Sequence, residues 1–113
     1  MEIRDRKLDD QTALVVLRGT LDASTVASVQ DRFDQILAGG VCTLVADIAG
    51  IDYVSSAGLR VLLMAGKRLA GMRGKLVVHS PNARVQEVFD LSGFSSLFPL
   101  CASREEAVAL VQR

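Results

Sequence analysis

The stretch VCTLVADIAGIDYVSSAGLRVLL (residues 41–63) changes its periodicity partway along, and that change decides the fold. Val41 to Ile48 is an almost unbroken apolar run, as expected of a strand covered on both faces. From Leu59 the apolar positions recur as Leu59, Leu62, Leu63, Leu69 and Met72, which is the spacing of one helical face. A buried strand leading into an amphipathic helix is half of a parallel β-α-β unit.

The same alternation extends in both directions. Upstream, Met1 to Leu8 and Thr12 to Arg18 read as two strands joined by a turn at Asp9-Asp10-Gln11, hence an N-terminal hairpin. Gly19-Thr20-Leu21-Asp22 reads as a connection. A helix is expected from about Ala23 or Ser24 to Leu37, with Val26, Val29, Phe33, Ile36 and Leu37 on one face and Gly39-Gly40 as its stop. Downstream, Gly71 and Gly74 break the second helix, and Lys75 to His79 is a short buried strand. Ser80-Pro81 reads as N-cap and first residue of a third helix carrying Val85, Val88, Phe89 and Leu91, stopped at Gly93. Leu97 to Leu100 reads as a last strand, and Ser103-Arg104-Glu105-Glu106 as a capping box opening a C-terminal helix. The expectation is one α/β domain over residues 1–113, with a mixed central sheet, an antiparallel N-terminal hairpin, right-handed crossovers and about four helices.

Composition narrows the function. Thirteen Lys plus Arg balance thirteen Asp plus Glu, which gives no electrostatic reason to expect nucleic acid or acidic lipid. No apolar run approaches the length that spans a bilayer, roughly 20 residues. Met1-Glu2-Ile3-Arg4-Asp5 lacks a signal-peptide layout. Cys42 and Cys101 make no metal-binding pattern, consistent with a reducing cytoplasm. Enzyme motifs such as CxxC, HExxH, GxSxG or a P-loop are absent, and the glycine pairs follow helices. His79, the sole histidine, reads as a strand-end side chain. Asp47 sits where α/β proteins often place ligand chemistry, but without acidic companions it reads as a brace for the next loop. No cofactor, metal site or catalytic residue is expected.

One constellation remains. Ser55 and Ser56 stand where a loop enters a helix, and serine is a preferred N-cap, so one of them needs no further explanation. The first helical turn also has free N–H groups and the positive end of the helix dipole, which suits a phosphate. Arg60, four residues beyond Ser56, could screen one.

Ser55-Ser56-Ala57-Gly58-Leu59 resembles the phosphorylation loop of STAS-domain anti-sigma factor antagonists, typically Asp-Ser-Ser/Thr-Gly-Leu. Gly19-Thr20-Leu21-Asp22, Val45-Ala46-Asp47-Ile48 and Val88-Phe89-Asp90-Leu91-Ser92-Gly93-Phe94 resemble three further segments of that family, in order. The resemblance places the phosphoacceptor at Ser56, with Ser55 as second candidate, and partner contacts at Asp22, Ser55, Ser56, Ala57, Gly58 and Arg60. Ser55 occupies the family's usual Asp, and Ala57 its second hydroxyl. The resemblance implies an anti-sigma factor partner that is a GHKL-type serine kinase supplying its own ATP and Mg²⁺. It also implies a PP2C-type phosphatase, a cytoplasmic monomer or weak dimer, and no membrane insertion. The alternative on the same fold is a module, never phosphorylated, in a transporter or signalling assembly.

Overall fold

The computed structural model of the chain describes residues 1–112. Strands β1 (Glu2–Lys7), β2 (Thr12–Leu21), β3 (Thr43–Val54), β4 (Lys75–His79) and β5 (Leu100–Cys101) form one sheet in the order β1-β2-β3-β4-β5. The β1–β2 pair is antiparallel and every later pair is parallel. Helices α1 (Val26–Ala38), α2 (Ser56–Gly71), α3 (Ala83–Ser92), α4 (Phe94–Leu97) and α5 (Arg104–Val111) complete the fold. The mixed α/β sheet with an antiparallel hairpin is as the periodicity predicts.

Why β3 and β4 read as continuous apolar runs follows from the layering. One side of the sheet packs Ala13, Val15, Leu17, Leu44, Ala46, Leu76 and Val78 against α1, α2 and α3. On the other side a smaller cluster joins Leu14, Val45 and Val77 to Ala107 of α5. Strands covered on both faces have no polar side to alternate with.

Several boundaries differ from the sequence reading. Both β2 and β3 outrun their predicted ends, and pair in parallel as far as Leu21 and Val54. The register shifts between Val16 and Arg18, so Leu17 faces the extra residues of a bulge in β3, where the apolar pattern breaks. Asp47 braces that bulge by accepting from the Ala49 N–H at 2.9 Å. Helix α1 starts at Val26 rather than Ala23 or Ser24, because Asp22 to Thr25 first close a turn through Thr25 N–H and Val26 N–H to Asp22 O, both at 3.0 Å.

The start of α3 needs correction. Ser80 takes a left-handed φ of 63°. An N-cap is extended, so Ser80 cannot serve as one. Asn82 is the cap instead: its Oδ1 accepts from Val85 N–H at 2.8 Å while its Nδ2 donates to Ile51 O at 3.0 Å. Leu97 belongs to a short helix rather than a strand. The Phe94 ring stacks on Phe89 at 4.6 Å and meets Phe98 at 5.0 Å, which holds the chain in a turn and leaves only Leu100–Cys101 to pair with β4. At α5 the Ser103 half of the expected capping box forms, while Glu106 reaches one residue beyond the N-cap. Ser103 Oγ accepts from Glu106 N–H at 3.2 Å, and Glu106 Oε2 accepts from Ala102 N–H at 3.0 Å.

Candidate functional site: the start of helix α2

The extension of β2 and β3 builds the site. Because both strands run on together, the Leu21-Asp22 end of β2 lies beside Ser55, and Ser55 N–H donates to Leu21 O at 2.9 Å. Ser55 is the N-cap of α2 in an extended conformation, and its hydroxyl accepts from Gly58 N–H at 3.2 Å. Its carbonyl accepts from Leu59 N–H at 2.8 Å. Ser56 is the first helical residue; it is exposed, and its hydroxyl makes no hydrogen bond among the described residues. The two neighbouring serines thus divide: one hydroxyl caps the helix and the other faces solvent.

Gly58 is buried against β2. A Cβ there would overlap Leu21 O and sit 2.8 Å from Leu21 Cγ. Only glycine, with no Cβ, lets the helix rest this close. Ala57 is half-buried. Arg60 is exposed one turn along and forms no ion pair among the described residues. Among the first-turn residues of α2 none is acidic, so a negative group at Ser56 would meet the positive helix end without repulsion from its own turn.

Asp22 does not cap α1, whose N-cap Thr25 makes no side-chain capping bond. Its Oδ1 accepts from Ser24 Oγ at 2.6 Å and Ser24 N–H at 2.9 Å. These contacts hold its carboxyl below the ordinary carboxylate range. Asp22 therefore keeps a fixed negative charge at the end of β2, next to the Ser55 loop. Periodicity in one helix could not reveal the groove beside this loop. Val26 and Ala27 of α1 face Ala57, Arg60, Val61 and Met64 of α2 across a shallow depression of about 320 Å³. Met64 is 55% exposed. With Val26, Ala57 and Val61 it lines an open apolar depression, in keeping with a contact surface.

Away from this loop, Asp47 and His79 are structural. Asp47 also takes an ion pair from Arg104 Nη2 at 2.7 Å. Burial pushes its carboxyl up, but the Ala49 N–H and Arg104 outweigh that and hold it below its ordinary value of 3.8. His79 is fully buried; Nδ1 lies 2.8 Å from Ser80 Oγ and Nε2 has no partner among the described residues. Burial lowers its pKa from 6.5, more than Asp47 raises it. As pH falls through 6.5, the unfolded chain protonates this histidine before the folded one does. Its contribution is complete above that value and is lost as pH falls towards the lowered folded pKa. Asp47 adds a second loss in the same direction below 3.8. Urea unfolding followed across pH is expected to show stability falling in these two windows, and His79→Gln is expected to flatten chiefly the upper one.

Cys42 and Cys101 are free thiols, and among the described residues no group of three potential metal ligands converges. No described helix is long and apolar enough to cross a membrane.

An exposed helix-start serine at the end of a parallel strand is thus set on a small α/β domain with a mixed five-stranded sheet. A family model described as the STAS domain matches residues 4–107, and the chain belongs to that family. BtrV of Bordetella bronchiseptica, assigned as an anti-sigma factor antagonist, is 36% identical over 100 residues, covering 88% of this chain and 86% of that one. The anti-sigma factor antagonist SpoIIAA in its unphosphorylated form superposes with a TM-score of 0.84 at 23% identity, covering 98% of this chain and 96% of that one. The phosphorylated form of the Bacillus cell fate determinant SpoIIAA gives 0.77 at 22%, with 98% and 100% covered. At those identities the two structures speak for the fold alone; the sequence relative carries the assignment to anti-sigma factor antagonists.

Proposed function

We propose that the chain, acting as a single STAS domain in the cytoplasm, is a regulatory binding protein and not an enzyme. In its unphosphorylated form it binds an anti-sigma factor, a GHKL-type serine kinase, and so releases a sigma factor. Phosphorylation of Ser56 by that kinase ends the interaction, and a PP2C-type phosphatase restores it. Asp22, Ser55, Ser56, Ala57 and Arg60 form the partner surface, continued by the groove at Met64, with Gly58 buried beneath them as the seat of the helix on β2.

The observation that carries this reading is the division of labour between the serines. The Ser55 hydroxyl is held by Gly58 N–H, whereas that of Ser56 is exposed on the first helical residue. A phosphate on Ser56 adds about −1.5 to −2 charges at a helix N-terminus that tolerates them. The domain stays folded while its docking surface, lined by Ala57, Val61 and Met64, acquires a charge that an apolar partner face rejects.

The test uses the partner kinase, ATP and mass spectrometry. Phosphate is expected on Ser56, absent in Ser56→Ala. Ser56→Ala is expected to bind the partner within about threefold of the parent, and Ser56→Asp at least about tenfold more weakly, about 1.4 kcal/mol. Phosphate confined to Ser55 would overturn the assignment to Ser56, and none with the cognate kinase would favour a constitutive interaction module instead.

A further inference from the structure

The sheet face opposite α1 and α2 is covered only in part. Helix α5 lies over β3 and β4 and helps bury Leu14 of β2, while Arg4 and Arg6 of β1 and Arg18 of β2 stay open and Val16 is half-buried. There Arg4 stands opposite Val16, Arg6 opposite Leu14 and Glu2 opposite Arg18. Two adjoining hollows share Arg4, Val16 and Arg104; Arg6 lines one and Arg18 the other.

Four arginines therefore surround a short apolar strip. Two are neutralised: Arg4 pairs with Glu2 at 2.8 Å and Arg104 with Asp47 at 2.7 Å. Asp5, at the rim, is taken by Arg32 of α1 at 2.7 Å. Arg6 and Arg18 have no carboxylate partner among the described residues, so this face carries surplus positive charge on a chain whose net charge is zero. Arg18 is also held in place. Its stem lies across Gly50, its register partner beyond the β3 bulge, where any larger residue would displace it.

We propose that this face is a second docking surface, for an acidic, extended segment of a partner protein. Guanidinium groups suit bidentate pairing with carboxylates, and Val16 offers a seat for one small apolar side chain between them. A nucleic acid fits less well. The face has no aromatic side chain on which a base could stack. Since the Ser56 loop and the α1–α2 groove lie on the other side of the sheet, both surfaces can be occupied at once. On the proposed function, the unphosphorylated domain joins its switch partner to a second protein, and the phosphorylated domain keeps only the second protein.

The probe is a fluorescein-labelled peptide of six glutamates flanking a central valine, with a lysine peptide of the same length as its counterpart. The acidic peptide is expected to bind the full chain, with amide shifts in β1, β2 and the first turn of α5, and to weaken as salt rises. The double variant Arg6→Glu/Arg18→Glu is expected to lose at least about tenfold in affinity for it and to gain binding of the lysine peptide, a gain only a folded variant can show. If that variant does not fold, Arg6→Gln alone is expected to weaken the acidic peptide about threefold. Equal affinity in the folded variants, shifts confined to the α1–α2 groove, or tighter binding of a single-stranded oligonucleotide would overturn the proposal.

Discussion

Gly74→Ala is expected to lower the unfolding free energy by about 3 kcal/mol, at the upper end of what one added methyl usually costs in a packed interior. Gly74 follows α2 and leads into β4. A Cβ there would coincide with Cys42 O, lie 2.5 Å from Cys42 C and reach 3.1 Å from Cys42 Cβ. Neither side can yield cheaply. Cys42 N–H is tied to Gln11 O at 2.9 Å, and Gly74 N–H to Leu69 O at 2.8 Å. Relief would mean parting the start of β3 from the start of β4, which pair from Thr43 and Lys75 onward. For a domain of this size the loss corresponds to about 10–20 °C in Tm. Gly71→Ala is the control. It lies on the last helical residue of α2 with open space around it. It is expected to be neutral or stabilising by up to about 1 kcal/mol. Urea denaturation of the two variants, compared at equal m, separates them. Parent-like stability in Gly74→Ala would mean that the α2–β4 turn does not pass so close to Cys42.

Gly74 also marks where sequence reasoning about helix ends loses its footing. Glycine after a helix usually supplies the left-handed residue that closes it. Here that residue is Arg73, at φ 62°, and the glycine beside it is reserved for the contact with Cys42. The contact joins two distant parts of the chain, so nothing local announces it. Ser80 and Asn82 fail in the same way: both are good caps by type, and what separates them is the left-handed turn at Ser80 and the reach of Asn82 to Ile51 O. The order of elements was legible because it rests on burial pattern. Strands covered on both faces are apolar throughout, and α1 and α2 each turn one apolar stripe to the sheet. The ends of β2 and β3 were not. A bulge shifts the alternation at Ile48 to Gly50, and Gly19 and Gly50 look like stops although both lie within strands.

The site was legible to a similar depth. Ser55, Ser56 and Gly58 lie within one turn of chain, and a helix start is a local event that sequence can report. Asp22 was visible as an acidic residue, but its role as a turn closure depended on Ser24 and Thr25 folding back before α1. The groove was invisible, since Val26 and Met64 come from different helices and meet only once both have packed on the sheet.

Gly58→Ala is expected to show that the loop's position, and not only its sequence, sets the activity of Ser56. A methyl on Gly58 would press on Leu21 O, the same oxygen that accepts the Ser55 N–H. The first turn of α2 must then lift away from β2, and the Ser55–Leu21 bond goes with it. The expected cost is about 2–3 kcal/mol, for overpacking together with a lost buried hydrogen bond. Ser55→Ala provides the contrast. It removes the side-chain cap on Gly58 N–H and leaves the backbone seat on Leu21 intact. Such a cap is worth about 1 kcal/mol. At a temperature where both variants remain folded, Ser55→Ala is expected to keep phosphate transfer to Ser56 within about threefold of the parent, whereas Gly58→Ala is expected to slow it at least about tenfold. A kinase reads the serine hydroxyl from a fixed approach, and displacement of a reacting group by about 1 Å is enough for losses of about a hundredfold. If folded Gly58→Ala were phosphorylated as fast as the parent, close seating of α2 on Leu21 would serve stability alone, and the kinase would be reading Ser56 as part of a flexible segment.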